Sequence, residues 1–233
     1  MIAKANRSNR STIKRRLILD AAAKVFGEHG FADVRLSDIA AAAGTHAGSL
    51  YYHFKSREEL VDQVLIEGVN GIFSEVVARI EALGPNADPC DKLACGIRAH
   101  LETMLELNDY SSAHVRIVNQ VPRAIRAGHL KRQRAYMQYW RGLFTEADNA
   151  KLIRVGLDVS VARMLLHGML NWTIEWYRSD GLNATELAQQ TVDLLLHGLL
   201  AKNPDVHKAQ KSPTLKGEAK RPRIPAGRSS KRR

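Results

Sequence analysis

Residues 35–59, RLSDIAAAAGTHAGSLYYHFKSREE, hold two short apolar runs, a glycine between them and a helix-start signal just beyond. Few folds accommodate that arrangement. Ser37 or a neighbour can cap a short helix running through Ala43, since a side-chain oxygen there accepts orphan amide protons. Ile39 and Ala43 are four residues apart and share one face. Gly44 follows, at the place where a helix commonly ends in a left-handed residue that glycine adopts freely. Thr45 can cap a second helix over 46–52. Ala47, Gly48 and Ser49 are small enough to let its backbone approach a groove wall. Tyr51, Tyr52, His53 and Lys55 at its far end all donate hydrogen bonds. Two short helices across a glycine-containing turn are the geometry that sets a second helix in the major groove of DNA.

The flanking segments are helical too. Residues 1–10 are polar and basic and are expected to form a flexible arm. Over 11–29, Leu17, Ile18, Ala21, Ala22, Val25 and Phe26 trace one apolar stripe. Lys14, Arg15 and Arg16 lie at its start, where they oppose the helix dipole. Either an outside anion such as phosphate offsets them, or they form a solvated face. Gly30 ends this helix, and Phe31 is expected to enter the head's core. Ser56-Arg57-Glu58-Glu59 is a capping box. It opens a long helix to about Leu83, broken by Gly84-Pro85 and spanning roughly 35 Å at about 1.5 Å per residue.

Residues 90–200 show no sustained strand alternation. Helices are expected over 91–107, 111–126, 129–150, 157–179 and 184–201, with Val121-Pro122 kinking or dividing the second. The stretch Val159–Tyr177 is nearly apolar all round, so it must be buried on several sides. The last helix, rich in leucine, has a similar surplus. The fold class is all-α: an N-terminal three-helix helix-turn-helix head (11–73) and a C-terminal helical domain (74–201).

Composition narrows the function. The net charge is +11, but eleven of the 35 Lys and Arg residues fall between Lys202 and Arg233. That segment also holds four of the seven prolines and reads as a disordered basic tail. Cys90 and Cys95 form neither a CxxC pair nor a disulfide framework. No signal peptide and no apolar run of membrane length are present, so a cytoplasmic protein is expected. HExxH, GxSxG, Gly-rich phosphate loops and paired metal-binding cysteines are all missing. Neither an enzyme nor a cofactor or metal is expected.

RRLILDAAAKVFGEHGF followed by LSDIAAAAGTHAGSLYYHFKSREEL resembles the DNA-binding segment of TetR-type regulators, over roughly residues 13–73. Arg57 stands where that family usually has lysine, and His46 where a small hydroxyl residue is common. The resemblance implies a ligand-responsive homodimer, most simply a repressor, on a palindromic double-stranded DNA operator. It implies dimerisation through the last two helices (157–179 and 184–201) and release by a small-molecule effector. By matching positions, Thr45, His46, Ala47 and Ser49 face base edges, with Gly48 between them. Arg35, Ser37, Tyr51, Tyr52, His53 and Lys55 anchor phosphates.

For the effector, Met104, Tyr136, Trp140, Trp172 and Trp176 are candidates to line an apolar pocket, with Met137, Met164, Met169 and Tyr139. Arg116, Arg163, His167 and Asn171 are candidates for polar contacts, and His100 and His197 also face a pocket in this reading. LNWTIEWYR is similar to a segment of family members that sense acyl-CoA thioesters. The alternatives are a nonspecific architectural DNA binder working through the basic tail, or a helical carrier protein with a vestigial head.

Overall fold

The computed structural model describes the backbone of residues 2–199 and the side chains of residues 11–198. The proposed basic tail lies outside the described residues. Nine α-helices and no strand are present among those described. The first, α1 (Ile2–His29), begins nine residues ahead of the expected start at 11. Residues 2–10 are therefore helical rather than an irregular arm; they contain no proline or glycine to stop the helix extending backwards.

The head consists of α1, α2 (Leu36–Ala42), α3 (Ala47–His53) and the first half of α4 (Arg57–Ala82). Neither expected side-chain cap forms on the two short helices. The N-cap of α2 is Arg35, and its backbone N–H donates to Asp38 Oδ2 at 2.8 Å. Ser37 lies inside the helix and donates weakly to Asp38 instead. The N-cap of α3 is His46 rather than Thr45. Thr45 belongs to the end of the preceding helix: its N–H donates to Ala40 O and that of Gly44 to Ala41 O, the paired closure of a helix C-terminus. Gly44 has φ +60°, and a Cβ there would touch nothing, so backbone conformation and not space calls for glycine. Of the expected capping box at α4, the Ser56 half forms, its Oγ accepting from Glu59 N at 3.1 Å, while Glu59 reaches one residue past the N-cap and accepts from Lys55 N.

Ile18, Leu19, Ala22, Phe26, Ile39, Leu50, Phe54 and Leu60 make the head's core. Leu17 is more than half exposed, so the stripe on α1 is rotated one position from its expected centre. Phe31 packs partly buried against the core, and Arg57 lies over its ring at 4.0 Å. The same core takes in Tyr110, Ala113 and Ile117 from α6 (Asn108–Ile117). The contact is close: a Cβ on Gly27 of α1 would come within 3.3 Å of Ala113 N.

A second core gathers Val76 and Ile80 of α4, much of α5 (Pro89–Glu106), Trp140 and Phe144 of α7 (Arg123–Asn149), Leu166 and Leu170 of α8 (Val159–Trp176), and Ala188 and Val192 of α9 (Ala184–Leu199). Pro122 divides the expected 111–126 helix, because its ring cannot continue α6 but suits the start of α7. The expected break at Ala127-Gly128 does not occur. One glycine costs about 1 kcal/mol, too little to interrupt a well-packed amphipathic helix. No described helix is long and apolar enough to cross a membrane.

Candidate nucleic-acid interface and effector cavity

Buried Leu50 pins α3 to the core, and Phe54 closes its end. Every other residue of α3 is at least partly exposed. His46, Ala47, Gly48, Tyr51 and Tyr52 face outward, Thr45, Ser49 and His53 are half-buried, and Arg35 and Lys55 are exposed at the two flanks. Tyr51 and Tyr52 are 59% and 81% exposed, too open to serve as core. Burial, then Lys14 and Arg15, lower the pKa of His53, so two cations of α1 stand near the end of α3. Arg15 also stacks over Phe54 and bonds Gln63. Arg16 is committed internally, paired with Asp20 at 2.9 Å and Glu67 at 3.1 Å. Of the three basic residues, Lys14 is exposed, while Arg15 through Gln63 and Arg16 through Glu67 both join α1 to α4.

A cavity of about 110 Å³ lies between α4, α5, α6, α7 and α8. Gly68, Val69 and Ile72 form one wall, His100 and Met104 a second, Ser111, His114 and Val115 a third. Gln133, Tyr136 and Met137 come from α7, and His167, Asn171 and Ile174 from α8. Met104, Tyr136, His167 and Asn171 were expected here on sequence grounds, as were His100 and Met137. The other expected residues lie elsewhere. Trp140 is fully buried beneath the wall, its ring 5.2 Å from that of His167. Trp172 and Trp176 are 65% and 52% exposed on the outer face of α8. Arg116 is exposed on α6. Arg163 borders a separate surface recess with Arg141 and Asp148. Helical spacing alone did not say which face of α8 turns inward.

His100 Nδ1 and Tyr136 OH are 2.7 Å apart. Burial and the neighbouring His167 push His100 down to about 3, against a smaller pull from Asn171. Burial, then Arg163, brings His167 to about 4. His114 Nε2 and His129 Nε2 are 2.9 Å apart, joining α6 to α7, and burial lowers both. Sequence reasoning missed Ser111, His114 and Gln133, because no local signal says that α6 and α7 face each other there. Among the described residues no group of three or more His, Cys, Asp or Glu could hold a metal ion. Burial and the nearby Asp88 raise the Cys90 thiol to about 11, so it is not a reactive thiolate at neutral pH.

One helix joins the two sites. Tyr110, Ala113 and Ile117 of α6 enter the head's core, while Ser111, His114 and Val115 line the cavity. Tyr110 OH also donates to Asp20 Oδ1 of α1 at 2.5 Å.

Comparison with known proteins agrees with this layout. Residues 18–64 match the model of bacterial regulatory proteins of the tetR family, and residues 86–199 that of a tetracyclin repressor-like C-terminal domain. The transcriptional repressor KstR2 of Mycolicibacterium smegmatis is 26% identical, over 82% of this chain and 92% of its own length. The fatty acid metabolism regulator protein of Bacillus subtilis is 29% identical, over 78% and 93%. The solved structure of KstR2 from Mycobacterium tuberculosis superposes with a TM-score of 0.73 at 24% identity, over 81% of this chain and 95% of that one. With both family models matched in chain order and all described elements helical, the chain belongs to the TetR family of DNA-binding transcriptional regulators.

Proposed function

We propose that this chain is a cytoplasmic homodimeric repressor that holds a pseudo-palindromic operator and releases it when a small molecule enters the cavity. The head (11–73) reads DNA, and the remainder (74–201) binds effector and partner. The observation that carries the reading is α6, shared between the head's core and the cavity wall. A ligand that favours a displaced α6 also displaces α1, because Gly27 and Ala113 leave no slack between them. Differential affinity for the two arrangements, typically about 1–3 kcal/mol, is enough to move the heads out of register with successive major grooves.

The DNA face comprises His46, Ala47, Gly48 and Ser49 with Thr45 against base edges, and Arg35, Ser37, Tyr51, Tyr52, His53 and Lys55 against phosphates. Gly48 supports this. A Cβ there would meet nothing of the chain itself, so the fold gains nothing from a residue that costs about 1 kcal/mol in a helix. Gly48→Ala is expected to raise the melting temperature slightly while weakening operator binding. A variant that binds as tightly as the parent would remove Gly48 from the interface. Lys55→Ala is expected to weaken binding to all sequences and to lower the salt slope by about one unit. An unchanged slope in fluorescence titrations would exclude its phosphate contact.

The dimer forms through α8 and α9. On α8, Val161, Met164, Leu165, Trp172 and Trp176 leave an apolar face exposed, and Leu194 continues it on α9. Two such helices from each of two copies make a four-helix interface. An acyl-CoA is the first effector class to screen, on the resemblance of LNWTIEWYR and the likeness to a fatty acid metabolism regulator.

Selection of bound duplexes from random DNA at near-physiological salt tests the whole reading. The full chain and a chain ending at Ala201 should both enrich the same inverted repeat. The charge of residues 202–233 favours a second reading, a nonspecific architectural binder. Binding without enrichment, lost on truncation, would establish that one instead.

A further inference from the structure

We propose that the cavity recognises its effector through a neutral carbonyl oxygen, as in a thioester, amide or ketone, with His100 Nε2–H as the donor and Tyr136 as the residue that positions it. The inference rests on the reading of this cavity as the effector site and names the chemistry it selects.

The first observation is a pair of unpaired buried nitrogens. His100 and His167 are 2% and 4% exposed, both line the cavity, and neither Nε2 has a partner within hydrogen-bond distance; the Asn171 side chain, which lines the same cavity, also interacts with His100. Buried polar atoms are nearly always paired, so two on one wall mark where a ligand's polar atom belongs.

The second observation fixes what His100 offers. Its Nδ1 faces Tyr136 OH at 2.7 Å. Tyr136 is 6% exposed, and burial keeps the phenol protonated. If Nδ1–H donated to the phenol, the Tyr136 O–H would itself lack an acceptor and Nε2 would be bare. If the phenol donates to Nδ1, both of those atoms are satisfied and one donor remains, Nε2–H. The first arrangement leaves two buried polar atoms unpaired and the second only one, so the second holds. His100 then presents a single N–H, suited to an acceptor oxygen.

The third observation excludes an ionised ligand group. None of the residues lining the cavity is Lys, Arg, Asp or Glu. Burial holds both histidines uncharged at neutral pH. Arg163 acts on His167 but does not line the cavity, so a carboxylate would be desolvated here without a directly paired counter-charge, which costs several kcal/mol, whereas a carbonyl needs one good donor. Size agrees: about 110 Å³ falls short of the roughly 150 Å³ that admits benzene, so a carbonyl and a short branch fit while any larger moiety lies outside.

The test uses the full chain at pH 7.5 and calorimetric titration with isobutyryl-CoA, its thioether analogue S-isobutyl-CoA (which lacks the oxygen), 3-methyl-2-butanone and isobutyrate. Nitrogen NMR of the His100 ring is the second readout. The thioester should bind about ten-fold more tightly than the thioether. His100→Leu should abolish that difference, and Tyr136→Phe should reduce it while mixing the two ring tautomers. The ketone should shift the His100 Nε2 resonance, and isobutyrate should not. Equal binding of thioester and thioether by the parent chain overturns the proposal and leaves the effector site standing. Preferential binding of isobutyrate, or no response of His100 to any neutral carbonyl, overturns it as well. The effector-site reading fails separately, if compounds that bind the cavity leave operator affinity unchanged.

Discussion

A glutamate at Trp172 is expected to leave the chain helical but monomeric, and to lower operator affinity by about 100-fold or more. Trp172 is 65% exposed in the single chain, so its removal opens no cavity in the chain's own core. It lies on the same face of α8 as Val161, Leu165 and Trp176. Pairing that face with a second copy would bury the carboxylate without a counter-ion, at a cost of several kcal/mol. Loss of the dimer unlinks the two heads, and avidity of roughly 10²–10⁴ goes with it. Sedimentation gives the assembly state, and gel-shift titration gives the affinity. A W172E protein that stays dimeric at micromolar concentration would place the interface elsewhere.

Acidification from pH 7.5 to 5.5 is expected to remove about 4 kcal/mol of folding stability. His100, His129 and His167 are buried, with pKa values lowered to about 3, 4 and 4. Burial is the main cause in each case, followed by His167 for His100, His114 and Arg132 for His129, and Arg163 for His167. Their folded pKa values lie below the unfolded value near 6.5, so the unfolded chain takes up protons first. The stability is complete above about pH 6.5 and declines as pH falls towards 4. Each ring contributes somewhat more than about 1 kcal/mol of loss by pH 5.5, before most carboxylates titrate. Urea unfolding at fixed protomer concentration measures it. His129→Gln should remove about a third of the dependence. Stability that is flat between these pH values would mean that the rings are open to solvent or already charged.

Much of this architecture is written locally. Ser56 and Glu59 announce the start of α4, Gly44 the end of α2, and Pro122 the division between α6 and α7. Each of these acts through backbone geometry within one turn. The failures are of another kind. Ser37 and Thr45 have the chemistry of caps, but Asp38 takes the first role and the preceding helix absorbs Thr45. Trp140, Trp172 and Trp176 read alike as pocket aromatics, yet one is core and two face outward. Whether an aromatic lines a cavity depends on what stands opposite it, which no spacing records.

The sequence by itself determined the helical class, the head with its exposed α3, and the surplus apolar face of α8, because periodicity and capping are properties of neighbouring residues. Tertiary structure alone decided that α6 serves two masters, with Tyr110 in the head and His114 at the cavity. It alone turned His100 towards Tyr136, 36 positions away, leaving its other nitrogen without a close partner. Those outcomes depend on packing between helices distant in the chain, where burial fixes the charge of a histidine and the neighbouring helix supplies its partner.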